Sequence, residues 1–279
     1  MSDAVVKYGD VIILHDFVQK GYLTARRQAS CQLMVEVNDF SVSAAGAPPI
    51  ATCPYPRAPE PADCCFQVRP KLAYSKFNAF VKATPGIKDV NALDVVLTPV
   101  QLAAQKKMHE EQGQNEKLLG KMRGAPVIYG ATIQLYHERT GSYVTLLKER
   151  ADVDGSKLKV SLHDDGNKNS WFQFNPGYKT GKMGETVKYP NVCILTSTKN
   201  DVNVHVSPKE TADTKIQPGH DYVKEVLEVN GYVSGTVFRV FPYRLNRDPD
   251  IYQLEISSGE PVTLYHSDLE ALLVCENGK

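Results

Sequence analysis

The chain has 279 residues, with 32 Lys plus Arg against 32 Asp plus Glu, so its formal net charge is zero. A protein that neutralises many nucleic-acid phosphates is basic overall, so this balance argues against a nucleic-acid partner. The longest purely aliphatic run, Val11 to Leu14, is far short of the ~18–20 apolar residues of a membrane span. The acid-bearing first ten residues do not read as a signal peptide.

Residues 8–24, YGDVIILHDFVQKGYLT, read as an apolar strand, a polar turn and a second strand, which is a β-hairpin. The pattern recurs without gaps at 129–145 and 258–274. Gly9, Gly130 and Gly259 open the three copies, and Leu14, Leu135 and Leu264 follow five residues on. A looser copy lies at 192–207, with its turn at Lys199-Asn200-Asp201. Residues 46–62 hold six of the seventeen prolines and read as a surface loop of polyproline character. A second repeat reads CFQV at 65–68, WFQF at 171–174 and VFRV at 237–240. Its period of two places Phe66, Phe172 and Phe238 on the core face.

Residues 69–128 break the strand pattern. Pro70 suits a first helical turn, and Tyr74, Phe77 and Val81 follow helical spacing until Pro85-Gly86. Thr98-Pro99 starts a second, largely polar helix that runs towards Gly120. The insertion carries ten Lys/Arg and five Asp/Glu, a net of +5, which leaves −5 on the rest of the chain. The expected fold is therefore mainly β. Residues 1–244 form a β-trefoil with an inserted α-helical arm, a helix-turn-helix at 69–128, because three hairpin-plus-strand lobes close a barrel without free edges. Residues 245–279 read as a linker and the first hairpin of a second, incomplete trefoil.

Catalytic patterns are poor. No G-x-S-x-G, P-loop or G-x-G-x-x-G is present. Asp152-Val-Asp154-Gly155 begins like a calcium loop, but position twelve is His163 rather than Glu. Six cysteines without zinc spacing read as reduced thiols. His15, His137 and His266 recur at or next to one hairpin position and read as structural. No catalytic residue, metal site or cofactor is expected. Trp171 reads as core packing. Tyr178 sits between two glycines with Lys179 after it, and is either an exposed partner anchor or a ring folded back over the barrel. Arg26-Arg27-Gln-Ala-Ser30 has the spacing of a basophilic kinase site, a pattern that chance supplies often.

KLLG at 117–120, YGATIQLYHERTGSYVTL at 129–146, GNKNSWFQFNPGYK at 166–179 and SGEPVTLYHSDLEALLVCENGK at 258–279 carry a resemblance. In this order, with the helical insertion in place, the chain resembles the N-terminal region of inositol 1,4,5-trisphosphate receptors, with ryanodine receptors as more distant relatives. The resemblance implies a suppressor domain that lowers the affinity of the adjacent ligand-binding core and couples ligand binding to opening of a calcium-release channel. It implies Tyr178 and Lys179 as coupling residues, and that core of the same chain as one partner. Neighbouring subunits of a homotetramer would meet the helical arm. The implied location is the cytosolic face of the endoplasmic reticulum or another calcium store. The family's ligand-binding basic residues lie beyond Lys279, so no inositol trisphosphate binding is expected of this segment itself. The family's acidic, leucine-containing loop is replaced here by Arg26-Arg27-Gln28-Ala29-Ser30. A ryanodine-receptor-like module and a carbohydrate-binding trefoil are the alternatives. The lobes show no repeated Asp-plus-aromatic pair of the kind sugar pockets need.

Overall fold

The computed structural model describes residues 5–16, 18–19, 21–27, 29, 32–37, 61–85, 97–178, 181–189, 191–212, 215–216, 223–224, 226–242, 264–266 and 271–273. The chain divides into two compact units, Met1–Tyr243 and Arg244–Lys279. In the first, twelve antiparallel strands form one sheet. Lobe one contains β1 (Val11–Asp16), β2 (Gly21–Ala25), β3 (Leu33–Val37) and β4 (Phe66–Pro70), with the short helix α1 (Pro61–Cys64) before β4. Lobe two contains β5 (Thr132–His137), β6 (Ser142–Arg150), β7 (Leu158–His163) and β8 (Phe172–Pro176). Lobe three contains β9 (Val192–Ser197), β10 (Asn203–Glu210), β13 (Val226–Tyr232) and β14 (Val237–Pro242). The small pair β11 (Lys215–Ile216) and β12 (Val223–Lys224) lies between β10 and β13.

The strand pairings close on themselves. β1 pairs with β4, β4 with β5, β5 with β8, β8 with β9, β9 with β14, and β14 returns to β1. This is a six-stranded barrel with no free edge. The hairpins β2–β3, β6–β7 and β10–β13 cap it, and β13 joins both other caps by pairing with β3 and β7. The molecule is a β-trefoil, mainly β, with a helical insertion.

The register carries the threefold repeat. Phe66, Phe172 and Phe238 lie opposite Ile12, Ile133 and Cys193 within their own lobes. Across the lobe boundaries they face His137, Ser197 and Asp16. All three rings are fully buried in one continuous core, where each contributes about 1.5–3 kcal/mol of burial. The repeat is longer than four letters. Pro70, Pro176 and Pro242 stand four residues after each Phe and close each barrel strand opposite Ile133, Cys193 and Ile12. A proline lacks the N–H that would continue the ladder.

A third repeat lies at the other end of the lobes, in Val6-Lys7-Tyr8, Val127-Ile128-Tyr129 and Val187-Lys188-Tyr189. Val6 N–H donates to Val187 O at 2.8 Å, Val187 N–H to Val127 O at 2.9 Å, and Val127 N–H to Val6 O at 2.8 Å. This cyclic ring of buried valines seals the barrel floor. The unit that opens the third lobe is therefore VKYPNV at 187–192. The looser hairpin at 192–207 is its continuation, with Asp201 in the left-handed region as the turn requires (φ 51°). The SGEP copy at 258 belongs to the second unit, where β15 (Leu264–His266) pairs with β16 (Ala271–Leu273).

The arm differs from its expected helices in detail. Pro70 ends β4 instead of starting a helix, and α2 spans Ser75–Ala83. Its buried side chain is Phe80, while Val81 is 51% exposed. The Tyr74/Phe77/Val81 spacing is helical, but Tyr74 precedes the helix and is drawn into the barrel's aromatic cluster, which rotates the buried stripe by one residue. α3 spans Pro99–Met122 and runs past Gly120. Thr98 and Gln101 form the capping box that Thr98-Pro99 announces: Thr98 N–H donates to Gln101 Oε1 at 2.9 Å, and Gln101 N–H to Thr98 Oγ1 at 3.4 Å.

Candidate regulatory interface

Three surfaces merit a functional reading: the arm, the loop after β8, and the loop after β2. The arm is held by side chains that satisfy backbone groups. Gln101 Nε2 donates to Ala83 O at 2.8 Å, tying the start of α3 to the end of α2. Lower down, Glu111 of α3 caps the N-terminus of α2. Its carboxylate accepts from Ser75 Oγ at 2.8 Å and from the N–H groups of Lys76 and Phe77 at 3.0 Å. Burial raises the Glu111 pKa. The bonds from Lys76, Phe77 and Ser75 outweigh it and hold the group below the usual carboxylate range.

The elbow joining arm to barrel is clamped residue by residue. Leu72 N–H donates to Gln134 Oε1 at 3.1 Å, and Leu72 O accepts from Trp171 Nε1 at 3.1 Å. Ala73 uses both backbone groups on Asn115, at 2.9 Å each. Leu118, Leu119 and Trp171 pack against the buried cluster of Leu72, Tyr74 and Tyr143. The Arg69 guanidinium lies 3.4 Å from the centroid of the Tyr136 ring and donates to Tyr143 OH at 2.8 Å. Gly166 (φ 66°) passes so close that a Cβ there would meet Tyr74 OH at 2.5 Å. Trp171 is thus a half-buried fastener of the arm instead of a barrel-core residue. Towards the far end of the arm Val100 is 75% exposed and Leu102 51%.

The loop after β8 departs from a fixed base. Gly177 N–H donates to Val192 O at 3.1 Å, and a Cβ at Gly177 would lie 2.7 Å from Val237 Cγ1. The next residue, Tyr178, is 51% exposed. Of its two readings, anchor or folded-back ring, this placement matches the exposed one. Lys179 lies outside the described residues. Met183 and Ile128 are also exposed on this floor side, and the Met183 side chain lies over Gly130.

The two arginines that follow β2 are both taken up in ion pairs. Arg26 bonds Glu36 and Asp63 at 2.6 Å each, and Arg139 meets the other Asp63 oxygen at 2.6 Å. Arg27 Nη2 donates to Asp164 at 2.6 Å, Thr140 O at 2.6 Å and Ser142 Oγ at 2.8 Å. Of the two arginines of the kinase-like string, Arg27 therefore staples lobe one to lobe two, while Arg26 pairs within lobe one and shares Asp63 with Arg139 of lobe two; Ser30 is outside the described residues. Asp152-Val-Asp154-Gly155 is a turn whose Val153 and Asp154 N–H groups donate to Glu228 at 2.7 and 2.9 Å. Among the described residues no group of three His, Cys, Asp or Glu could hold a metal ion. Cys64 and Cys193 are buried thiols that burial pushes far above the ordinary range, so neither is a ready nucleophile. His137 bridges Thr140 Oγ1 at 2.9 Å and Asp63 O at 3.1 Å. His15 is enclosed by Tyr22 and Phe241. The His266 side chain is outside the described set. No helix among the described residues is long and apolar enough to cross a membrane.

These features define a β-trefoil module with a clamped helical arm and an exposed aromatic loop. The family model for the inositol 1,4,5-trisphosphate/ryanodine receptor matches residues 3–243, the trefoil and the arm together. The chain belongs to that family, which is a receptor family rather than an enzyme family. The inositol 1,4,5-trisphosphate receptor itr-1 of Caenorhabditis elegans is 26% identical over 219 residues, covering 77% of this chain. The chain spans 7% of the length of that relative. Among solved structures, the SDF2-like protein from Arabidopsis thaliana is 16% identical with a TM-score of 0.50, covering 87% of this chain and 99% of its own; the likeness is one of fold. A Caenorhabditis elegans protein of unknown function is 13% identical with a TM-score of 0.49, over 86% of this chain and 98% of its own.

Proposed function

We propose that this chain is the N-terminal regulatory module of an inositol trisphosphate-gated calcium-release channel. The observation that carries the reading is the family match, which runs through the trefoil and its arm without leaving either out. In this reading the module lowers the ligand affinity of the core that follows it and couples ligand binding to opening. Tyr178 and Lys179 make the coupling contact, and the arm meets a neighbouring subunit of a homotetramer. The half-exposed Tyr178 ring on a rigid base supports the first contact, since exposed aromatics on fixed backbone make strong anchors. The apolar Val100 and Leu102 beside the +5 charge of residues 69–128 support the second. The module would sit on the cytosolic side of a calcium-store membrane as part of the channel.

The mechanism requires contacts that differ in strength between closed and open states, because only a differential free energy shifts the equilibrium. Couplings of this kind run to about 1–3 kcal/mol, or roughly 5–150-fold in affinity. The direct test measures inositol trisphosphate affinity of a longer receptor chain with and without residues 1–243. Tighter binding after removal is expected, and equal affinities would refute suppression.

A further inference from the structure

We infer that Trp171 is the positioning residue through which the arm and the Tyr178 loop move as one unit, with strand β8 as the link. The inference rests on the proposed role of Tyr178 and says what that residue is mechanically joined to. Trp171 immediately precedes β8 and Tyr178 follows it by two residues. At its near end, the indole N–H holds Leu72 O of the arm's elbow, and the ring packs against the same Leu72, Tyr74 and Tyr143 cluster that Leu118 and Leu119 of α3 cover. Lys71 Nζ lies 4.4 Å from the ring centroid. The Trp171 carbonyl accepts from Thr198 N–H at 3.1 Å, so the residue is fixed on its barrel side as well.

Between the ends, β8 is a poor place for slack. It pairs with β5 on one side and with β9 along its whole length on the other, from Phe172 opposite Ser197 to Pro176 opposite Cys193. Phe172 and Phe174 are fully buried. Close-packed interiors transmit displacement rather than absorb it. At the far end, Gly177 is pressed against Val192 and Val237, so a shift of β8 is delivered to Tyr178 without an intervening hinge. The elbow is equally stiff, because the backbone groups of Leu72 and Ala73, and the N–H groups of Lys76 and Phe77, have side-chain partners.

The test is amide hydrogen exchange of the full chain, wild type against Trp171→Phe and Asn115→Ala. Trp171→Phe removes the bond to Leu72 and keeps a ring. Asn115→Ala frees Ala73 from a half-buried position on the arm, outside the barrel core, and decides the matter should Trp171→Phe unfold. The expected result is about tenfold faster exchange in α2 and at Gly177, at the base of Tyr178, together, with the β10–β13 hairpin unchanged. Acceleration in α2 alone overturns the inference. Equal acceleration of all three regions also overturns it, because the clamp would then serve global stability. Trp171 is the only tryptophan, so its emission reports the elbow directly; Asn115→Ala should shift it, and an unchanged spectrum counts against the clamp. If Tyr178→Ala in a longer receptor chain that includes the ligand-binding core leaves inositol trisphosphate affinity unaltered while the linked exchange persists, the proposed coupling role of Tyr178 fails and the mechanical link stands.

Discussion

The barrel and the arm are built by opposite means. The barrel buries a continuous apolar core, closes its own edges, and seals its floor with a ring of three valine peptide bonds. The arm buries few side chains in its helices, Phe80 in α2 and Met108 and Glu111 in α3, and is held by polar clamps at its tip and elbow. An apolar core is cooperative. A set of side-chain-to-backbone bonds, of which only those to Glu111 are charge-assisted, is local and can be released piece by piece. A module that must stay folded while one part changes its contacts benefits from this division.

The largest expected effect comes from the barrel. Phe172→Ala should cost about 3–5 kcal/mol, because the cavity left in a closed core cannot collapse. Urea denaturation should show barrel and arm lost in one transition. Survival of the arm on a melted barrel would reverse the comparison.

Acid should attack the two regions in different windows. Burial, with help from Arg239, lowers the His15 pKa to about 4, and neither ring nitrogen has a hydrogen-bond partner among the described residues. The folded state therefore favours neutral His15, whereas the unfolded chain protonates near ~6.5. Stability present above that value is lost as pH falls towards 4, by up to about 2–3 kcal/mol. His15→Leu should flatten this part of the pH–stability curve, and an unchanged slope would assign the loss elsewhere.

Glu111 works in a lower window. Its folded pKa is depressed, so its contribution is present above the unfolded value of ~4.3 and disappears as pH falls through the folded pKa. Glu111→Ala should remove about 1–3 kcal/mol from the arm alone at neutral pH. Faster exchange in α2, without change in β5 or β9, is the expected signature. The smallest effect belongs to Tyr178→Ala, which should change stability by no more than about 0.5 kcal/mol. A large loss in thermal denaturation would make Tyr178 a packing residue and remove it from the interface.

Much of the barrel was legible before any coordinates. The hairpin units and the three phenylalanines identified the lobes, because a strand's period of two forces every second side chain inward. The proline four residues after each Phe and the V-x-Y ring were equally present in the letters, yet short repeats of common residues stand out only once a register aligns them. Tyr178 was singled out by its flanking glycines, but exposure depended on what lay behind Gly177. The arm was legible as two helices and little more. Its attachments join Glu111 to residues 75–77, Asn115 to Ala73, Trp171 to Leu72, and Gln134 to Leu72 and Tyr74, across separations of 34 to 99 positions. No local pattern encodes them.

The sequence by itself determined the trefoil, its threefold core and the place of the insertion, since those follow from periodicity and repetition along the chain. Tertiary contacts alone decided that Arg26 and Arg27 are taken up in ion pairs, Arg27 across the surface to lobe two, that Val81 faces outward, and that the single tryptophan grips the arm instead of filling the core. The outward Val81 follows from the packing of Tyr74 on the barrel, and the arginine and tryptophan outcomes depend on which distant polar group lies within about 3 Å, the reach of a hydrogen bond. That distance is fixed by the closing of the barrel and not by any neighbour in sequence.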